Sequence, residues 1–183
     1  MSSNPKIDVR YFVKQEGNTC GAHSIYNYLI LTKKITFTID TAAQKAAIAA
    51  IYGKITSSQT GEAALPHLML DFLNKNGAAA ALHGSNKFKA NLEQLRAQLQ
   101  TDATIAYTDD PFSAFLKPGA YGIALWNTTE TFPPLTKLAT MHYTVVCKNA
   151  AGDIYALDSN CPDKSWQLVG SQFTLNFMGL LFA

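Results

Sequence analysis

A thiol attacks a carbonyl only as a thiolate. It needs a base, an acceptor that orients the base, and donors for the oxyanion that forms. Four residues of this 183-residue chain have the types for those tasks: Gln15, Cys20, His142 and Asp158. Cys20 lies in "KQEGNTCGAHSIYNYL" (residues 14–29), where a polar, Gly-broken approach runs into an apolar pattern of helical period. Asn18 and Thr19 are good N-cap types. The thiol is therefore expected in the first turn, where free N–H groups and the macrodipole favour an anion. His142 opens the apolar run "HYTVV", and a strand start can hold an imidazole rigidly against a helix tip. Asp158 follows sixteen residues later, beyond the hairpin turn signal "NAAGD". Pairing about that turn sets His142 and Asp158 opposite each other on one face, about 5 Å apart at Cβ. Gln15, five residues before Cys20, is placed to offer its amide to the oxyanion together with the Cys20 backbone N–H.

Three further residues are candidates for substrate contact. Gly21 leaves room beside the thiol for a substrate backbone. His23, three residues after Cys20 and near the same helix face, either lines the site or packs beside it. Trp166 follows the Asp158 loop and is a candidate for the cleft rim, whereas Trp126 is expected in the core or at that rim. Cys147 falls in an apolar strand and packs there as a small hydrophobe. Cys161, in "DSNCPDK", is expected on an exposed loop, and His67 and His83 are assigned to structure or surface. With three cysteines, no closely spaced Cys pair and four scattered histidines, neither a disulfide framework nor a structural zinc site is indicated. The chemistry calls for no metal or organic cofactor.

The elements that must position these residues change character along the chain. "IDVRYFV" (7–13) is β-prone and reads as an edge strand or extended arm. From Cys20 onward, Ala22, Ile25, Tyr26, Leu29 and Ile30 recur at helical spacing and predict a helix ending near "TKK". Thr41 is a cap for the Ala-rich "AAQKAAIAAIYG". "EAALPHLMLDFLNKNG" is a further helix with Pro66 in its first turn. After a weak strand "AAAALHG" and a short helix "ANLEQLRAQLQ", strand-like segments follow: "ATIAYT", "AYGIALWN", "MHYTVVCKN", "GDIYALDSN" and "LNFMGLLFA". Helices first and an antiparallel sheet after them is the order of an α+β fold. It reads as one domain over 1–183, without repeat or linker.

Composition is that of an ordinary globular chain, 48% hydrophobic with a net charge of +2. The basic runs "TKK" and "NKFK" are short and lack interleaved aromatics, so no nucleic-acid partner is expected. No apolar stretch reaches the ~18 residues of a membrane span. The N-terminus lacks the apolar core of a cleaved secretory signal. The expected location is cytoplasmic, or inside a target cell reached without such a signal.

The order Gln, Cys, His, Asp, with Cys opening the first long helix, resembles the papain-like cysteine peptidase superfamily. Within it, "KQEGNTCGAHSIYNYL" is most similar to the Josephin-type deubiquitinases. In those, a K-Q-E-G segment precedes the nucleophile at this spacing and a His follows it by three residues. "HYTVVCKNAAGDIYALDS" is similar to their segment of His, strand, turn, strand and Asn, with Asp here in the last place and Gly rather than Ala after the Cys. "TCGA" and the Asp also resemble the C39-type peptidases. The resemblance implies a papain-like fold, its helical N-terminal part carrying the nucleophile helix packed on a C-terminal antiparallel sheet. It implies Cys20 as nucleophile, His142 as general base and acid, Asp158 as orienter and Gln15 in the oxyanion hole. It further implies hydrolysis of peptide or isopeptide bonds through a thioester, on a protein or peptide substrate, with ubiquitin or a ubiquitin-like protein favoured. Papain-like folds also serve deamidases and transglutaminases, for instance as effectors or toxins, and non-catalytic binding modules. Those alternatives stay open at this point.

Overall fold

A computed structural model of the chain describes residues 13–36, 38–56, 63–126, 142–159, 166–169 and 177–183. Helices α1 (Cys20–Leu31), α2 (Thr41–Ile55) and α3 (Pro66–Lys75) come first. Then follow β1 (Leu82–Ser85), a 3-10 turn at Asn86–Phe88, α4 (Lys89–Gln98), β2 (Ile105–Thr108) and α5 (Pro111–Phe115). Strands β3 (Tyr121–Trp126), β4 (His142–Lys148), β5 (Ile154–Leu157), β6 (Trp166–Leu168) and β7 (Phe177–Phe182) complete the order. The fold is α+β. The arm expected at 7–13, except Val13, lies outside the described residues, as do the two-proline loop before β4 and Cys161.

The expected apolar stripe of α1 is buried, but so are His23, Ser24 and Asn27, because the helix is enclosed on all sides. It packs on β3 and β4 and is covered by α2 and α3. Ile25 and Leu29, at 0% and 1% exposed, each contribute about 1.5–3 kcal/mol to that placement. The cap of α2 is Asp40 rather than Thr41. Its Oδ1 accepts the Ala42 and Ala43 N–H groups at 2.9 and 3.4 Å, so Thr41 is the first helical residue. Pro66 opens α3 at a position whose N–H has no helical partner to lose.

The sheet has the strand order β2-β1-β7-β3-β4-β5-β6. It is mixed, which corrects the expectation of a purely antiparallel, C-terminal sheet: β1 and β2 run parallel, and the other neighbours are antiparallel. Parallel neighbours need a crossover, and α4 supplies it. One face carries the larger core, where α1 to α3 and Leu92 of α4 meet Val145, Leu157 and Leu180. The other face is smaller: Phe112 of α5 and Leu116 just after it pack on Trp126, Val146, Phe177 and Leu181. Among the described residues no helix is long and apolar enough to cross a membrane.

Candidate active site

Asn149 closes the β4–β5 hairpin. Its backbone N–H donates to the Asp153 carbonyl at 2.9 Å, and its side chain accepts the Asp153 N–H at 2.8 Å. The ladder beyond pairs Val145 with Leu157, Val146 with Ala156 and Cys147 with Tyr155. This register is two residues away from direct opposition of His142 and Asp158, because the turn is centred on Ala151 rather than Ala150. Continued, it sets Asp158 against Thr144. An even shift preserves which face each residue occupies. His142 and Asp158 are therefore diagonal neighbours, within reach of each other's side chains. His142 Nε2 meets Asp158 Oδ1 at 2.7 Å, and both residues are 3% exposed.

Cys20 is the first residue of α1. Thr19 is its N-cap by position but makes no side-chain cap; its hydroxyl donates instead to the Glu16 carbonyl at 2.7 Å. Burial pushes Cys20 up. Its hydrogen bond with His142, the charge of that ring and the backbone N–H groups of Tyr143 and Gly21 outweigh burial and hold it below the ordinary thiol value. Burial pulls His142 down, but its hydrogen bonds to Asp158 and Cys20, together with their charges, raise it well above the usual imidazole value. With Nε2 engaged by Asp158, Nδ1 is the nitrogen left for sulfur. Both shifts favour the thiolate–imidazolium pair over the neutral one. Low surrounding dielectric strengthens each of its bonds.

The approach loop turns at Gly17, whose φ of +63° suits a residue without Cβ. Gln15, 8% exposed, is held by three bonds. Its backbone N–H donates to the Ser159 carbonyl at 3.0 Å, its Oε1 accepts the Ser159 hydroxyl at 2.7 Å, and its Nε2 donates to the Gly17 carbonyl at 2.9 Å. A primary amide has two N–H groups, so one remains to be offered. His23 is 4% exposed and its Nδ1 contacts the Thr19 carbonyl at 3.0 Å. It braces the start of α1 from inside.

Two expectations of substrate contact change. The room beside Gly21 is filled by the protein itself: a Cβ there would stand 2.4 Å from the Ala64 Cβ. The Tyr143 hydroxyl donates to the Ala64 carbonyl at 3.3 Å and pins that segment against α1. Trp166, expected at a rim, is 8% exposed within the main core. On β6 it pairs directly with Leu157 of β5, and it stacks on Tyr121 with ring centroids 6.1 Å apart. Cys147 is buried as expected, and burial pushes its thiol up to about 12. Among the described residues no three His, Cys, Asp or Glu side chains are grouped to hold a metal ion.

Sequence reasoning missed two neighbours. Trp126 stands directly opposite His142 in the β3–β4 ladder, fully buried, its indole N–H donated to Thr144 Oγ1 at 2.7 Å. The two end and begin successive strands, so antiparallel pairing would have placed them together. Ser159 carries no motif signal beyond its adjacency to Asp158. The chain matches no protein-family model, no curated protein and no solved structure.

Proposed function

We propose that this chain is a papain-like cysteine hydrolase that cleaves peptide or isopeptide bonds through a thioester. The observation that carries the reading is the buried relay from Cys20 through His142 to Asp158, with its 2.7 Å Nε2–Oδ1 bond and a thiol held below its ordinary value. A nucleophile helix packed against a sheet that supplies base and orienter is the arrangement that the papain-like resemblance implies. The thiolate attacks the carbonyl carbon; the C–S bond forms and the π pair moves to oxygen. The free Gln15 N–H and the Cys20 backbone N–H bind that oxyanion. His142 gives a proton to the leaving amine as the C–N bond breaks. It then takes a proton from the water that hydrolyses the thioester and frees the thiolate. Asp158 keeps the ring oriented and stabilises its charge.

Iodoacetamide labelling of Cys20 against pH tests the catalytic reading. Its onset is expected well below the ~8.5 of a free thiol, and titration near 8.5 would overturn it. The resemblance of the Cys20 segment to Josephin-type enzymes favours a ubiquitin-like C-terminus as acyl donor. A ubiquitin-propargylamide probe should form an adduct that Cys20→Ala abolishes. No adduct from protein that iodoacetamide still labels would assign the thiol to a different acyl group.

A further inference from the structure

Ser159 takes part in none of these steps, yet two site segments hold each other through it. Its carbonyl accepts the Gln15 backbone N–H at 3.0 Å and its hydroxyl donates to Gln15 Oε1 at 2.7 Å. Ser159 and Gln15 are 7% and 8% exposed. The contact ties the loop that leads into Cys20 to the strand end that carries Asp158, across 144 residues of sequence. Together with the Gly17 carbonyl it also anchors an amide. The terminal torsion of a glutamine is broad and nearly two-fold, so oxygen and nitrogen exchange places at little cost unless partners distinguish them. Ser159 gives Oε1 a donor while the Gly17 carbonyl receives one Nε2 N–H at 2.9 Å. The second N–H then has a single direction. Without the Ser159 hydroxyl the amide keeps only the Gly17 carbonyl as a side-chain partner, its Oε1 is released, and the second N–H is no longer held toward the place where the oxyanion needs a donor.

We propose that Ser159 is the positioning residue of the oxyanion hole, holding the Gln15 amide with its nitrogen toward the reacting carbonyl. This rests on the thiol-hydrolase reading above. The role affects acyl transfer and leaves thiolate formation alone, because Cys20 is ionised by His142 and backbone N–H groups.

Two reactions of the same sulfur separate these effects. With iodoacetamide the thiolate displaces iodide; a C–S bond forms, the C–I bond breaks and no oxyanion arises. With p-nitrophenyl acetate the thiolate adds to the ester carbonyl, and the oxyanion collapses to expel p-nitrophenolate. Water then hydrolyses the thioester to acetate and the free thiol. Ser159→Ala is expected to slow the acylation burst about 10-fold or more, up to the ~10²–10³ lost with a whole donor. The alkylation rate and its pH midpoint are expected to stay at wild-type values. In a Gln15→Ala background the same substitution should cost nothing more. Ser159→Thr and Ser159→Val are equal in shape and differ in the hydroxyl, so their ratio of acylation rates repeats the test if Ser159→Ala does not fold. Three results overturn the proposal: wild-type acylation in Ser159→Ala, an undiminished loss without Gln15, or a moved alkylation midpoint, which would place Ser159 on the Asp158–His142 pair. An ordinary thiol titration in the wild type would instead overturn the catalytic reading itself.

Discussion

His142 is bonded to Asp158 through Nε2 and hydrogen-bonds the Cys20 thiol as well, and its behaviour with pH follows from that. The thiolate is lost as pH falls through the lowered Cys20 value; the imidazolium is lost as pH rises through the raised His142 value. Hydrolysis should therefore be bell-shaped, with an acid limb below 8.5 and an alkaline limb above 6.5 (both approximate free-residue values). Asp158→Asn removes the charge that raises His142, so the alkaline limb should move to lower pH in a rate profile. In His142→Ala, burial is left without its main opponent, and the labelling midpoint of Cys20 should rise above that of a free thiol. Gly21 makes a prediction of a different kind. An added methyl meets Ala64 at 2.4 Å, so Gly21→Ala should cost about 1–3 kcal/mol in thermal unfolding. Ala64→Gly should restore most of it. The types and order of Gln15, Cys20, His142 and Asp158 were legible because chemistry restricts which side chains can ionise a thiol and hold its product. The use of Gly21 was not, since space around one residue is decided by a distant segment that folds over it.

Among the elements, the β4–β5 hairpin does most to place the site. Its turn signal was readable, and so was the parity that puts His142 and Asp158 on one face. Direct opposition of the two puts the turn centre at Ala150, one residue before the middle of "NAAGD" at Ala151, and that single residue is the source of the two-residue register difference. Asn149→Ala removes two side-chain bonds, at 2.9 and 2.8 Å, to Asp153. This should lower stability by about 1 kcal/mol in denaturant unfolding. The labelling midpoint of Cys20 should not change, since the β4–β5 ladder and the packing of these strands, buried on both faces, hold the register without the Asn149 side chain. Helix α1 shows the opposite imbalance. Its apolar stripe was plain, but local periodicity could not foretell that its polar residues would also be enclosed, as that depends on α2 and α3 closing over it. At α2 the capping carboxylate of Asp40 stands one residue ahead of the expected Thr41. Asp40→Ala should cost about 0.5–2 kcal/mol, measured by thermal unfolding.

For the molecule as a whole, the two described thiols, Cys20 and Cys147, are both buried and separate by ionisation. Cys147 is 3% exposed and its thiol is pushed up to about 12, so limiting iodoacetamide at pH 7 should modify Cys20 and spare Cys147 until the chain unfolds. Peptide mapping by mass spectrometry reads both sites. The class of fold was visible in the shift from helical to strand-like segments, whereas the order of strands was not, because pairing between distant segments leaves no local mark. Nothing in "LNFMGLLFA" says that it will lie between β1 and β3. That position has a consequence for vectorial synthesis. A ribosome delivers thiol, imidazole and carboxylate in turn, while the sheet beneath them is still two fragments. Leu180 and Phe182, which complete the core on the side of α1, emerge only afterwards. On the hydrolase reading proposed above, a nascent chain is therefore expected to carry thiol, imidazole and carboxylate and remain inert until this late segment slots into place, so that translation itself delays the onset of activity.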